Sequence, residues 1–125
     1  MNWNVRVITA PSRDTDLSLM VIFDQDKYLI NCGEGTQRSC TQRGVGFRKL
    51  GTVLLTNSSS DVTGGLPGIL MSSADTGIPE IKVAGPEAAL QYLVSSRTFC
   101  QRYVLGGIRL FMVIQKATDT THVTI

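Results

Sequence analysis

The chain holds 125 residues, enough for one ordinary domain and too few for two. An apolar share of 42% with 18% charged residues excludes a disordered segment, and a net charge of +2 neither demands nor excludes a nucleic-acid partner, because phosphate binding depends on clustered Lys and Arg. No stretch reaches the ~20 apolar residues of a membrane span, so no membrane partner is expected, and Cys32, Cys40 and Cys100, widely spaced and odd in number, suit a reducing compartment rather than a disulfide framework.

Taken in order, Val5-Arg6-Val7-Ile8 alternates as a strand does and Pro11-Ser12-Arg13-Asp14 breaks it. Leu19 to Phe23 and Tyr28 to Ile30 read as two further strands joined by a hairpin turn over Asp24-Gln25-Asp26-Lys27, which makes the opening third a β-meander. Asn31-Cys32-Gly33-Glu34-Gly35 is then a sharply bending loop, with Thr36 placed to cap a short helix from about Gln37 and Glu34 free to cap or pair. Val53 to Leu55 is an apolar strand running into the small polar loop Thr56-Asn57-Ser58-Ser59-Ser60-Asp61. A helix opens at Leu66 with Pro67 in its first turn and stops at Asp75-Thr76-Gly77-Ile78-Pro79. Ile81 to Ala84 is a strand. Gly85-Pro86-Glu87 starts a second helix, with Leu90, Leu93, Val94 and Tyr103 on one face and Gln91, Arg97 and Arg102 elsewhere. Gly106-Gly107 ends that helix, Ile108 to Ile114 is a long strand containing Arg109, Lys116 to Thr120 is a turn, and His122 to Ile125 begins another strand. Strand alternating with helix gives an α/β class.

Several short motifs recur in a fixed order: Ser12-Arg13-Asp14-Thr15; Tyr28-Leu29-Ile30-Asn31-Cys32-Gly33-Glu34-Gly35-Thr36-Gln37-Arg38; Gly64-Gly65-Leu66-Pro67-Gly68; Asp75 to Pro79; and Gly85-Pro86. Together they resemble the amino-terminal, degenerate half of long-form tRNase Z, the transfer-RNA 3′-processing endoribonuclease of the metallo-β-lactamase superfamily. In that superfamily the central strand ends in Thr-His-x-His-x-Asp-His, whose histidines and aspartate bind metal. Here Thr56 matches the threonine and Asp61 the aspartate, while Asn57, Ser59 and Val62 stand where the histidines should be.

The resemblance implies a fold and a division of labour. The fold is part of a metallo-β-lactamase-type αββα sandwich, a mixed sheet with helices outside, and the chain is a piece that ends before the flexible arm gripping the tRNA. The implied role is non-catalytic, with no cofactor in this segment, zinc in a carboxy-terminal half of the same chain as its partner, and precursor tRNA bound through the whole protein. The family has nuclear and mitochondrial members. Met1-Asn2-Trp3-Asn4-Val5 enters a strand almost at once and leaves no room for a presequence, which favours the nucleus or cytoplasm over the mitochondrion.

The residues themselves point the same way. A binuclear zinc site needs several imidazoles, and the one histidine, His122, is far along the chain. Asp61 before a helix suits a cap better than a lone ligand. Three cysteines with His122 have the arithmetic of a zinc site but no C-x-x-C pair. Ser58, Ser59, Ser60, Asp61 and His122 supply the letters of a hydrolytic triad without the nucleophile elbow, and the loop at Gly33 lacks the spacing and lysine of a phosphate-binding loop. Arg38, Arg43, Arg48 and Lys49 are the one basic group, a solvated surface or a contact for RNA phosphates. Trp3 and Tyr103 read as core or core-edge aromatics. The competing interpretation is an inactive binding or scaffold module that stands alone.

Overall fold

A computed structural model describes residues 2–78, 80–96, 109–114 and 120–124. Its elements are β1 (Trp3–Thr9), β2 (Ser18–Phe23), β3 (Asp26–Ile30), α1 (Thr36–Gln42), β4 (Leu50–Leu54), α2 (Ser60–Thr63), α3 (Leu66–Asp75), β5 (Glu80–Gly85), α4 (Glu87–Ser95), β6 (Arg109–Ile114) and β7 (Thr120–Thr124). Tyr103, Arg97, Arg102, Cys100, Gly106-Gly107 and Lys116 lie outside the described residues.

The expected meander is present and its turn is tighter than the sequence suggests. Asp24-Gln25 alone joins β2 to β3, because Asp24 adopts φ 46 and its Oδ1 accepts a hydrogen bond from the Asn2 amide at 3.0 Å. An aspartate tolerates that left-handed backbone, so Asp26 and Lys27 are already strand. Lys49, at φ 65, turns the chain so that β4 starts at Leu50, before the expected Val53.

All seven strands form one sheet in chain order, β1 to β7. The first three are antiparallel, β3 to β6 run parallel, and β7 returns antiparallel. Every crossover therefore steps one strand further in the same direction. Right-handed connections that all step the same way put their helices on one face.

Burial follows that asymmetry. Ile8, Met20, Leu29, Val53, Ile81 and Val83 point to one face and are fully buried with Cys40, Leu66, Ile69, Leu90 and Leu93. At about 1.5–3 kcal/mol for each large apolar side chain, this layer supplies most of the folding drive. The opposite face, traced through the register pairs Trp3 with Phe23, Val5 with Val21, Val7 with Leu19, Val21 with Tyr28, Leu19 with Ile30 and Ile30 with Leu54, is also apolar. Among the described residues no helix covers it. Trp3 is not a core-edge residue as its sequence position suggests: it is 63% exposed on this face and stacks on Phe23 with ring centroids 6.5 Å apart.

The two faces predict opposite responses to substitution. Leu29→Ala should cost about 2–5 kcal/mol in urea-induced unfolding of the chain, whereas Val5→Thr should change stability by less than about 0.5 kcal/mol and reduce self-association. Comparable losses for both variants would show that the second face is covered within the chain.

Candidate functional site

The loops after β3 and β4 leave neighbouring parallel strands at their carboxyl ends, the position where open α/β sheets carry their sites. Asn31 joins them. It sits at φ 61 and is nearly buried; its Oδ1 accepts hydrogen bonds from the Thr56 amide at 3.0 Å and the Thr56 hydroxyl at 3.1 Å, and its Nδ2 donates to the Leu17 carbonyl at 3.3 Å. The Asn31 amide donates to the Leu54 carbonyl at 2.8 Å, and the buried Ser18 hydroxyl donates to the Asn31 carbonyl at 2.8 Å. One residue, through both polar atoms of its side chain and its own backbone amide and carbonyl, thus ties the start of β2 and the ends of β3 and β4 together. Its sequence signal was a polar residue directly after a buried strand, of a type that tolerates positive φ.

Beyond Asn31 the two loops touch backbone to backbone. The Cys32 amide donates to the Val62 carbonyl at 2.7 Å, and the Gly65 amide donates to the Cys32 carbonyl at 2.9 Å. A Cβ on Gly33 would fall on the Thr15 hydroxyl and the Asp61 carbonyl, and one on Gly65 would fall on the Gly33 carbonyl. The β1–β2 loop joins them, because the Asp16 amide donates to the Asp61 carbonyl at 3.1 Å and the Thr9 hydroxyl donates to the Asp16 carbonyl at 2.9 Å. Three loops from distant parts of the chain therefore converge.

Two expected caps are absent. Gly35, at φ 83, occupies the N-cap of α1, so Thr36 lies inside the helix and its hydroxyl donates to the Gly33 carbonyl at 2.7 Å. Ser59 occupies the N-cap of α2 without a side-chain cap bond, and Asp61 lies in the first turn, where its charge favours the helix dipole while its carbonyl receives Asp16. Glu34 is exposed at the loop tip.

The chemistry carried by this frame is sparse. Asn57 is exposed, and its Oδ1 accepts from the Ser59 amide at 2.9 Å in a local turn. Ser58, Ser59 and Ser60 are exposed, and Val62 is fully buried as a core residue. Among the described residues no three of His, Cys, Asp and Glu converge to hold a metal ion, and these donors do not fit zinc. The register pairs His122 with Phe111, three strands beyond β4, so roughly 14 Å of sheet separates it from the serine loop and no triad forms. Cys32 and Cys40 are buried free thiols, and burial pushes the Cys40 thiol up to about 11 and the Cys32 thiol well above its ordinary value. Of the basic group, Arg38 stands beside Gly35 at the start of α1, while Arg43, Arg48 and Lys49 lie beyond its other end.

The converging loops fall within residues 6–65, the segment that matches the family model described as tRNase Z endonuclease. The chain belongs to the tRNase Z family. It is 33% identical over 95 residues to the human protein named zinc phosphodiesterase ELAC protein 2, covering 76% of this chain and 12% of that protein. Over 103 residues it is 35% identical to the Arabidopsis thaliana protein named tRNAse Z TRZ4, mitochondrial, covering 80% of this chain and 11% of the relative. The crystal structure of a long-form RNase Z from yeast superposes with a TM-score of 0.77 at 30% identity, over 94% of this chain and 16% of that one. Its likeness is to the amino-terminal half of such long forms, and it spans about an eighth of the curated relatives' length. The short form of human tRNase Z, at TM-score 0.71 and 18% identity over 90% of this chain and 45% of that one, shares the fold, as does the Rm3 metallo-β-lactamase at 0.59 and 20% over 90% and 42%. The metallo-β-lactamase fold read from the motifs is thereby established for this tRNase Z chain.

Two outcomes test the frame. Gly33→Ala and Gly65→Ala should each destabilise the chain by about 1–3 kcal/mol in urea unfolding, because backbone must move to admit the methyl group. The thiols set a pH dependence: they stay protonated in the folded chain and ionise in the unfolded chain above its ordinary value of 9.0. Stability should therefore fall as pH rises from about 9 towards 11 and should fall less in Cys40→Ala, read by unfolding at fixed pH values.

Proposed function

We propose that this chain is a non-catalytic amino-terminal part of a long-form tRNase Z, acting in removal of 3′ trailers from precursor tRNA. The observation that carries the reading is the coexistence of a complete three-loop frame with side chains unable to hold metal: Asn57 in a local turn, Ser59 at a helix start and Val62 in the core. A frame of this kind positions neighbouring elements without performing hydrolysis. The zinc and the hydrolytic residues belong to a carboxy-terminal half of the same protein, and the chain is a partial metallo-β-lactamase-like domain.

The uncovered apolar face of the sheet supports the same reading. It is the surface against which the remainder of the domain packs, and a stand-alone module would leave Trp3, Val5, Val7, Phe23 and Leu54 in water. No described helix is long and apolar enough to cross a membrane. The full protein works in the nucleus or cytoplasm, and the mitochondrial names among its relatives make a mitochondrial pool part of the proposal.

The test compares the full-length natural protein, a version lacking residues 1–125, and the 125-residue chain with added zinc, each assayed for trailer removal and for bound zinc by mass spectrometry. The full-length protein should cleave, the deletion should lose at least tenfold in kcat/KM, and the chain alone should neither cleave nor hold stoichiometric zinc. Cleavage by the chain alone overturns the reading, and full activity in the deletion favours an independent scaffold module.

A further inference from the structure

From the N-terminal ends of β3 and β4 across to β1, the fold gathers cations that the sequence keeps apart. The N-terminal ends of β3 and β4 meet there, and Lys49 precedes β4 directly, its carbonyl accepting the Lys27 amide at 3.1 Å. The Lys27 ammonium donates to the Gly46 carbonyl at 2.7 Å, which holds it against the α1–β4 loop. Arg43, just past α1, donates from Nε to the Ile8 carbonyl at 3.0 Å, so α1 delivers a guanidinium onto β1 two residues from Arg6. Arg6 and Ile8 share one strand face. Arg48 stands between Phe47 and Lys49 in the same loop. Arg6, Arg43, Arg48 and Lys49 are exposed and Lys27 is half-buried.

Charge is concentrated as well as collected. Partial burial lowers the pKa of Lys27, and the charges of Arg6 and Lys49 lower it further, as expected where cations face one another across a small patch. No carboxylate among the described residues bonds to any of the five. Asp24 and Asp26 sit in and after the β2–β3 turn, with an Asp24 oxygen occupied by the Asn2 amide. Like charges held together without counter-charge cost stability, which an anionic partner would relieve.

The character of the patch selects the anion. Phe47, in the α1–β4 loop, packs against the core, and among the described residues the exposed aromatics Trp3 and Phe23 stand on the other face of the sheet. Without a stacking platform the patch cannot hold unpaired bases, which single-stranded nucleic acid would offer. A row of guanidinium and ammonium groups matches the phosphates of a helical backbone.

We infer that Arg6, Lys27, Arg43, Arg48 and Lys49 form a docking surface for the phosphate backbone of helical RNA. This rests on the tRNA-processing role proposed above and deepens it: the segment contributes a grip on a double-helical part of the substrate. Arg38, at the far end of α1, is not a member.

The experiment measures affinity of the full-length natural protein for a precursor tRNA over a range of salt concentrations, alongside its trailer cleavage. The triple variant Arg6→Gln, Arg48→Gln, Lys49→Gln should reduce the slope of log affinity against log salt by about 3, roughly one per cation, and should weaken binding at least tenfold at low salt. Arg13→Gln, at the other end of the sheet, should change the slope by less than about 0.5. Circular dichroism and melting of each variant establish that it is folded. An unchanged slope in a folded triple variant that still cleaves overturns the docking surface alone, and a full-length protein that neither binds nor cleaves precursor tRNA overturns the functional reading beneath it. Binding of polyglutamate as tight and as salt-sensitive as that of RNA would also overturn the assignment, in favour of an acidic protein.

Discussion

The architecture depends on how closely two loops approach. The Cys32 amide donates to the Val62 carbonyl and the Cys32 carbonyl accepts the Gly65 amide, which joins the β3–α1 and β4–α3 connections, and Gly33 and Gly65 have no room for a side chain. This contact fixes where α1 and α3 begin, and therefore how both helices lie over β1 to β4. Geometry and chemistry are separable here: the geometry is made by backbone and glycine, and the side chains at the loop tips can change without disturbing it.

The second constraint is directional. Each crossover advances one strand to the same side, so among the described residues the helices gather on one face and leave the other bare. A sheet with two apolar faces and one helical cover is a half-structure in energetic terms. Fully buried Leu29, Val53 and Ile81 stabilise it, while Trp3, Val5 and Phe23 leave surface that gains only when something else arrives.

Much of this was legible in the sequence, and the remainder was not for definable reasons. Period-two alternation and turn residues located every described strand, and Pro67 inside α3 obeyed the first-turn rule. Family motifs gave the fold. Capping was misread at Thr36 and Asp61, since Gly35, with positive φ, and Ser59, two residues before Asp61, took the cap positions, and spacing alone does not distinguish neighbouring small and polar residues. Trp3 was placed at the core edge because a strand residue does not announce whether its face has a cover. The basic patch was only half visible: Arg43, Arg48 and Lys49 are neighbours in sequence, whereas Arg6 and Lys27 join them through strand pairing and the Arg43 bond to Ile8.

The stacked pair of Trp3 and Phe23 has an optical meaning. Trp3 is the chain's single tryptophan, and it lies on the face that the helices leave bare. Indole emission shifts to shorter wavelength when water leaves the ring, so the intrinsic fluorescence of this segment reports one event, the covering of that face. The protein thus carries its own spectroscopic gauge of assembly, with no competing tryptophan in these 125 residues to blur it.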